Sequence, residues 1–166
     1  MAKRTNDFYT QKAKKEGYPA RSVYKLSEIQ EKYGILQKGQ RVLDIGAAPG
    51  SWSMYALKKT GKSGLVCAID FKPLEISSKG GNLYKIEGDV FSEKAAQAFG
   101  EHSPFDAVLS DAAPSTTGNK LVDTARSYEL AGDILDLSLQ HLKKGGTVVI
   151  KVFQGGDEQE LMDKMK

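Results

Sequence analysis

The stretch RVLDIGAAPGSWSMYAL, from Arg41 to Leu57, constrains this chain more than any other segment. Val42, Leu43 and Ile45 make an apolar run that contains an acid, Asp44. A glycine loop follows, Gly46, Ala47, Ala48, Pro49 and Gly50, then Trp52 and a helix-compatible segment. Strand, glycine turn and helix together form a cradle. Glycine lets backbone approach a ligand closely, and the helix start offers free N–H groups and a partial positive charge. A dinucleotide loop, G-x-G-x-x-G, seats pyrophosphate on several such N–H groups. Here the second glycine is missing, Pro49 has no N–H to give, and an acid precedes the turn. That acid would repel pyrophosphate and suit a ligand carrying a cationic group. Gly46, Ala47, Pro49 and Gly50 are the candidate loop contacts.

The rest of the chain alternates. Residues 19–33 read as a helix, with Pro19 suited to its first position, Gly34 to the residue past its end, and Val23, Leu26, Ile29 and Tyr33 as an apolar stripe. Lys25 falls beside that stripe, where a lysine can snorkel toward a neighbouring site. Beyond Gly39, RVLDI reads as a strand, 51–60 as a helix, LVCAID (65–70) as a strand and NLYKIEGD (82–89) as a shorter one. Residues 92–99 suit a short helix, FDAVLSD (105–111) a buried strand, 123–144 a long helix and TVVIKVF (147–153) a last strand. Such alternation predicts an α/β fold: a mostly parallel central sheet with helices on both faces. Ligands bind such sheets at the carboxyl ends of the strands, where strand order reverses. The chain stops in DEQELMDKMK, a helix just begun, so a completing strand is expected beyond the covered residues.

A chain of 166 residues defaults to one domain. We expect residues 1–40 to form a basic segment with one helix and 41–166 a catalytic domain. No apolar run approaches a membrane span, and the start has no secretory core. Cys67 is the only cysteine and reads as a buried core thiol, so no disulfide or cysteine-cluster metal site is expected. The net charge of +3 hides an asymmetry, +6 over residues 1–41 against −3 over the remainder. Lys3, Arg4, Lys12, Lys14, Lys15 and Arg21 crowd the start, interleaved with Phe8, Tyr9, Tyr18 and Tyr24. Cations among aromatics suit phosphate backbones and bases to stack on. The plainer alternative is a solvated tail.

Several acids mark strand ends. Asp70 ends the second strand, where an acid accepts hydrogen bonds from ribose hydroxyls in nucleotide-type folds. Asp89 ends the third and could receive an adenine amino group. Lys151 interrupts the apolar run TVVIKVF, where a charge is costly unless paired. Asp111, ending the neighbouring strand in SDAAPS, is its candidate partner. Lys25, Asp111 and Lys151 would then meet, a cluster able to tune an amine downward in pKa and orient it. The alternative for Lys151 is an exposed strand end. His102 and His141 have no metal-ligand company.

These segments resemble a family, the FtsJ/RrmJ-like ribose 2′-O-methyltransferases. The resemblance runs from about Ala20 to Phe153. It rests on ARSVYKL around Lys25, DIGAAPGSW, Asp70, SDAAP around Asp111 and IKVFQG around Lys151. It implies a Rossmann-like fold, S-adenosylmethionine as the cofactor with a cationic centre, and RNA as the partner, most naturally ribosomal RNA of the large subunit. It implies that Gly50, Trp52, Asp70, Asp89 and Asp111 surround the cofactor. The family uses a Lys–Asp–Lys–Glu tetrad, and the resemblance implies that Lys25, Asp111 and Lys151 are its first three members. Its glutamate sits on a later strand in a serine- and arginine-rich setting, which nothing between Gln154 and Lys166 matches; Glu158 and Glu160 are therefore not assigned. The alternatives are an RNA-binding assembly factor with weak or no catalysis, or a transfer-RNA or cap ribose methylase. A nicotinamide-dependent oxidoreductase fits the Gly46–Pro49 pattern poorly. A cytoplasmic monomer, without a metal, is the expectation.

Overall fold

In the computed structural model the backbone is described for residues 2–155 and 158–165, and side chains for these except residues 2–7, 158 and 160. The elements in chain order are α1 (Ala2–Lys15), α2 (Val23–Tyr33), β1 (Arg41–Ile45), α3 (Ser51–Thr60), β2 (Leu65–Asp70) and β3 (Leu83–Glu87). They continue as α4 (Glu93–His102), β4 (Phe105–Ser110), α5 (Lys120–His141), β5 (Leu142–Ile150) and α6 (Glu158–Lys164). The five strands pair in parallel throughout, in the order β3-β2-β1-β4-β5. The three central strands, β1, β2 and β4, are largely apolar and buried because successive side chains point to opposite, covered faces. On one face Val42, Val66, Ala107 and Leu109 pack against Trp52 and Ala56 of α3 and Val23 and Leu26 of α2. On the other, Leu43, Ile45, Cys67, Ile69 and Val108 pack against Ala95 and Phe99 of α4 and Ile134 of α5. Chain order reverses between β1 and β4, which puts the switch point over the carboxyl end of β1.

Most elements lie where the pattern predicts them, and the differences have local causes. Residues 1–40 carry two helices rather than one. Ala13 of α1 is fully buried and joins the core cluster of Tyr18, Val23 and Leu26, so this segment packs on the core rather than trailing as a tail. α2 starts at Val23, not Pro19. Ala20 N–H donates to Ser51 Oγ at 2.7 Å and Trp52 Nε1–H to the Ser22 carbonyl at 2.9 Å, which hold residues 20–22 in a turn against α3. α5 starts at Lys120 because the Asn119 side chain accepts from Leu121 and Val122 N–H, an N-cap. It ends at His141 because Leu142 leaves the helix to pair with Phe105. β5 therefore runs 142–150, and Lys151 lies just past its end instead of interrupting it.

Candidate active site at the carboxyl ends of the strands

The glycine loop joins β1 to α3 at the switch point. Gly46 has φ +72°. A Cβ there would come within 2.6 Å of Ala112 Cα, so only glycine lets the loops after β1 and β4 touch. Gly50, at φ +120°, is equally tight against Ile76, with a Cβ placed 2.8 Å from its Cγ1. The loop N–H groups are already engaged. Gly46 and Ala47 both donate to the Ile69 carbonyl, at 2.9 and 3.1 Å, and Ala48 donates to Asp70 Oδ2 at 3.0 Å. With Pro49 lacking a donor, residues 46–49 have no N–H left for a pyrophosphate.

Beneath the loop lies Asp44, fully buried. Ser53 Oγ donates to its Oδ2 at 2.5 Å, while Oδ1 has no partner. Burial pushes its carboxyl up to about 7; the Ser53 hydrogen bonds oppose this and the nearby Asp111 and Asp70 charges add to it. Three acids thus lie close enough to raise one another's cost of ionisation, a setting that is relieved by a positive ligand. Asp70 is half-buried, and each of its oxygens accepts one backbone N–H, from Ala48 and from Lys72 at 2.9 Å. Asp89 is exposed on the turn after β3, where its Oδ1 accepts Phe91 N–H at 3.0 Å.

Asp111 and Lys151 follow the neighbouring strands β4 and β5. Lys151 Nζ lies 2.7 Å from Asp111 Oδ1 and 2.8 Å from the Asp111 carbonyl oxygen, and Lys151 N–H donates to the Ser110 carbonyl at 2.9 Å. Both side chains remain about a quarter exposed, 25% and 22%, so the pair opens to the crevice. Lys25 is exposed on the first turn of α2 and makes no ion pair among the described residues. The expected three-way meeting is therefore a Lys151–Asp111 pair with Lys25 outside ion-pair distance.

Trp52 is 3% exposed, and its indole is spent on the Ser22 carbonyl. It anchors α2 to α3 rather than presenting a free face. Of the basic set, Lys12, Lys14, Lys15 and Arg21 are exposed; the Lys3 and Arg4 side chains lie outside the described residues. Lys12 contacts Glu16 at 3.9 Å and sits 4.8 Å above the Tyr24 ring. No cluster of three metal-ligating side chains occurs among the described residues.

The FtsJ-like methyltransferase family model matches residues 18–166. The chain belongs to the FtsJ-like methyltransferase family. It is 46% identical over 160 residues to the ribosomal RNA large subunit methyltransferase E of Treponema denticola, covering 96% of this chain and 80% of that protein. It is 50% identical over 161 residues to the protein of the same name in Borreliella afzelii, covering 97% and 84%. Among solved structures it matches a protein described as a ribosomal RNA methyltransferase of Plasmodium falciparum, with TM-score 0.80, 30% identity and coverage of 89% and 85%. The fibrillarin of Aeropyrum pernix matches at TM-score 0.54, 19% identity and coverage of 70% and 46%, a likeness of fold alone. The fold is the Rossmann-like one of methyltransferases.

Within this FtsJ-like frame, sequence reasoning missed the serines. Ser53 holds Asp44, Ser51 holds Ala20, and Ser127 Oγ accepts Phe153 N–H at 2.9 Å, fixing the segment after Lys151. It also missed Asp123, which accepts from Thr117 N–H and Oγ1–H at 2.7 and 2.8 Å and from Gly118 N–H at 3.1 Å. These bonds hold its carboxyl below the usual range and shape the loop after Asp111. The S-W-S following Gly50 was the available signal: a hydroxyl nine residues after a buried acid.

Proposed function

We propose that this FtsJ-like protein transfers the methyl group of S-adenosylmethionine to a ribose 2′-hydroxyl of large-subunit ribosomal RNA. The single observation that carries this reading is the Lys151–Asp111 pair opening beside the acid-lined glycine loop. The relatives' printed names supply the RNA class.

The residues present fit the cofactor. Asp44 has an unpartnered buried acceptor, and the nearby Asp70 and Asp111 carboxylates raise its pKa further, a setting that suits a cationic ligand and not a phosphate. Gly46, Ala47, Pro49 and Gly50 would form the floor. Asp70 keeps acceptor capacity for ribose hydroxyls, since each oxygen holds only one backbone N–H, and the exposed Asp89 would meet the adenine amino group. When bound, the cofactor supplies an electrophilic methyl group.

The chain's own part is positioning and proton removal. A neutral Lys151 amine has two N–H groups, and Asp111 offers an acceptor for each, Oδ1 and the main-chain oxygen. Its lone pair is then left for the 2′-hydroxyl proton as the ribose oxygen attacks. Lys25, exposed at the head of α2, would add positive charge that steadies the developing alkoxide. Lys12, Lys14, Lys15 and Arg21, with Lys3 and Arg4, would grip the RNA backbone. Replacing Lys151 with alanine tests this: labelled methyl transfer to bulk RNA should fall by at least about 100-fold, the low end for a general base. Transfer at the wild-type rate would refute the proton-transfer role.

A further inference from the structure

The basic start of the chain carries an ordered aromatic array. Phe8, Tyr9, Lys12 and Glu16 lie along one face of α1 and its end, at helical spacings of three and four. Phe8 and Tyr9 meet edge to face at 5.5 Å, and Tyr9 meets Tyr24 of α2 at 5.4 Å. Lys12 Nζ sits 4.8 Å over the Tyr24 ring. Tyr24 O–H donates to Glu16 Oε2 at 2.9 Å, which fixes that ring. Yet Phe8 is 61% exposed and Tyr9 39%. Neither ring belongs to the core that α1 joins through Ala13, and aromatics left this open beside Lys12 and Lys15 suit a partner better than the core. Tyr24 also immediately precedes Lys25.

We propose that Phe8 and Tyr9 form a stacking platform for an unpaired nucleobase of the RNA substrate, with Lys12 and its neighbours holding the adjoining phosphates. This rests on the ribose-methylation reading. Base–aromatic stacking needs an open ring face and a nearby cation for the backbone, and tolerates any base. A duplex would hide its faces, so the platform selects single-stranded RNA around the target.

The test uses the full chain. Binding of a short single-stranded RNA carrying 2-aminopurine, and methyl transfer to large-subunit ribosomal RNA, are measured for wild type and for Phe8→Leu, Phe8→Trp and Tyr9→Leu. Phe8→Leu and Tyr9→Leu keep apolar bulk and should each raise Kd and KM about tenfold, with kcat unchanged, as one stacked base contributes. Phe8→Trp should retain wild-type values and quench 2-aminopurine fluorescence. Equal Kd for the leucine variants and wild type would overturn the platform, as would tighter binding of duplex than of single strand. If wild type transfers no methyl to RNA, the underlying reading fails instead, whatever the binding shows.

Discussion

Asp44 is the residue where folding and ligand chemistry conflict most directly. It is buried beneath the loop with its carboxyl raised to about 7 from 3.8, so the folded state holds a proton that the unfolded chain releases between those values. The sign follows: its effect on stability favours the fold at low pH, declines as pH rises through that window and is flat above about 7. Asp44→Asn should therefore lose this decline, so that its stability difference from wild type shifts between pH 5 and pH 8 in chemical denaturation. An unchanged difference would contradict the buried, protonated carboxyl. A bound cation should pull the carboxyl back down, so cofactor binding should release a proton near pH 6, readable by calorimetry in two buffers of different ionisation enthalpy. Lys151 is the opposite case. Its amine is held by Asp111 at 2.7 Å, and Asp111→Asn should sharply reduce methyl transfer while leaving the fold intact, checked by circular dichroism beside the assay.

Among the elements, the α2–α3 contact is the joint on which the site depends. The Trp52 indole donates to the Ser22 carbonyl and the Ser51 hydroxyl accepts from Ala20, so the start of α2 is fixed by the start of the helix that carries the cofactor loop. Trp52→Phe leaves that carbonyl without its donor and should cost about 1 kcal/mol in urea denaturation. It should lower methyl transfer through Lys25, which lies only three residues past Ser22. Gly46→Ala would be worse, because its Cβ meets backbone atoms of Ala112. The β1 loop and α3 were legible in the sequence because a glycine turn between an apolar run and a helix is a local signal. The central strands were legible because both their faces are covered and their runs are largely apolar. α1 was not, since polar spacing hides a helix whose one buried side chain among those described is Ala13. The exact reach of β5 was not either, because Leu142 is drawn from helix into strand by its partner Phe105, a tertiary effect. Within the site, the Lys151–Asp111 pair could be read from a charge in an apolar run. The separation of Lys25 from that pair could not, because it depends on where α2 begins.

The whole molecule divides its charge along the chain. A start with +6 packs through Ala13 on the core of a remainder with −3, and its Lys12, Lys14, Lys15 and Arg21 are exposed. RNA affinity should fall steeply with salt, and neutralising Lys12, Lys14 and Lys15 together should flatten the slope of log K against log salt by about 0.7 to 0.9 per lost phosphate contact. An unchanged slope would place the RNA elsewhere. No described helix is long and apolar enough to cross a membrane. The central claim, methylation of a ribose hydroxyl by the Lys151 site, is tested most directly by where the methyl goes. Large-subunit ribosomal RNA is incubated with S-adenosylmethionine labelled in its methyl group and then hydrolysed in alkali, which cleaves only beside a free 2′-hydroxyl. The label should appear in alkali-resistant dinucleotides with wild type and be lost with Lys151→Ala; label in mononucleotides, or equal label from the variant, would contradict the account.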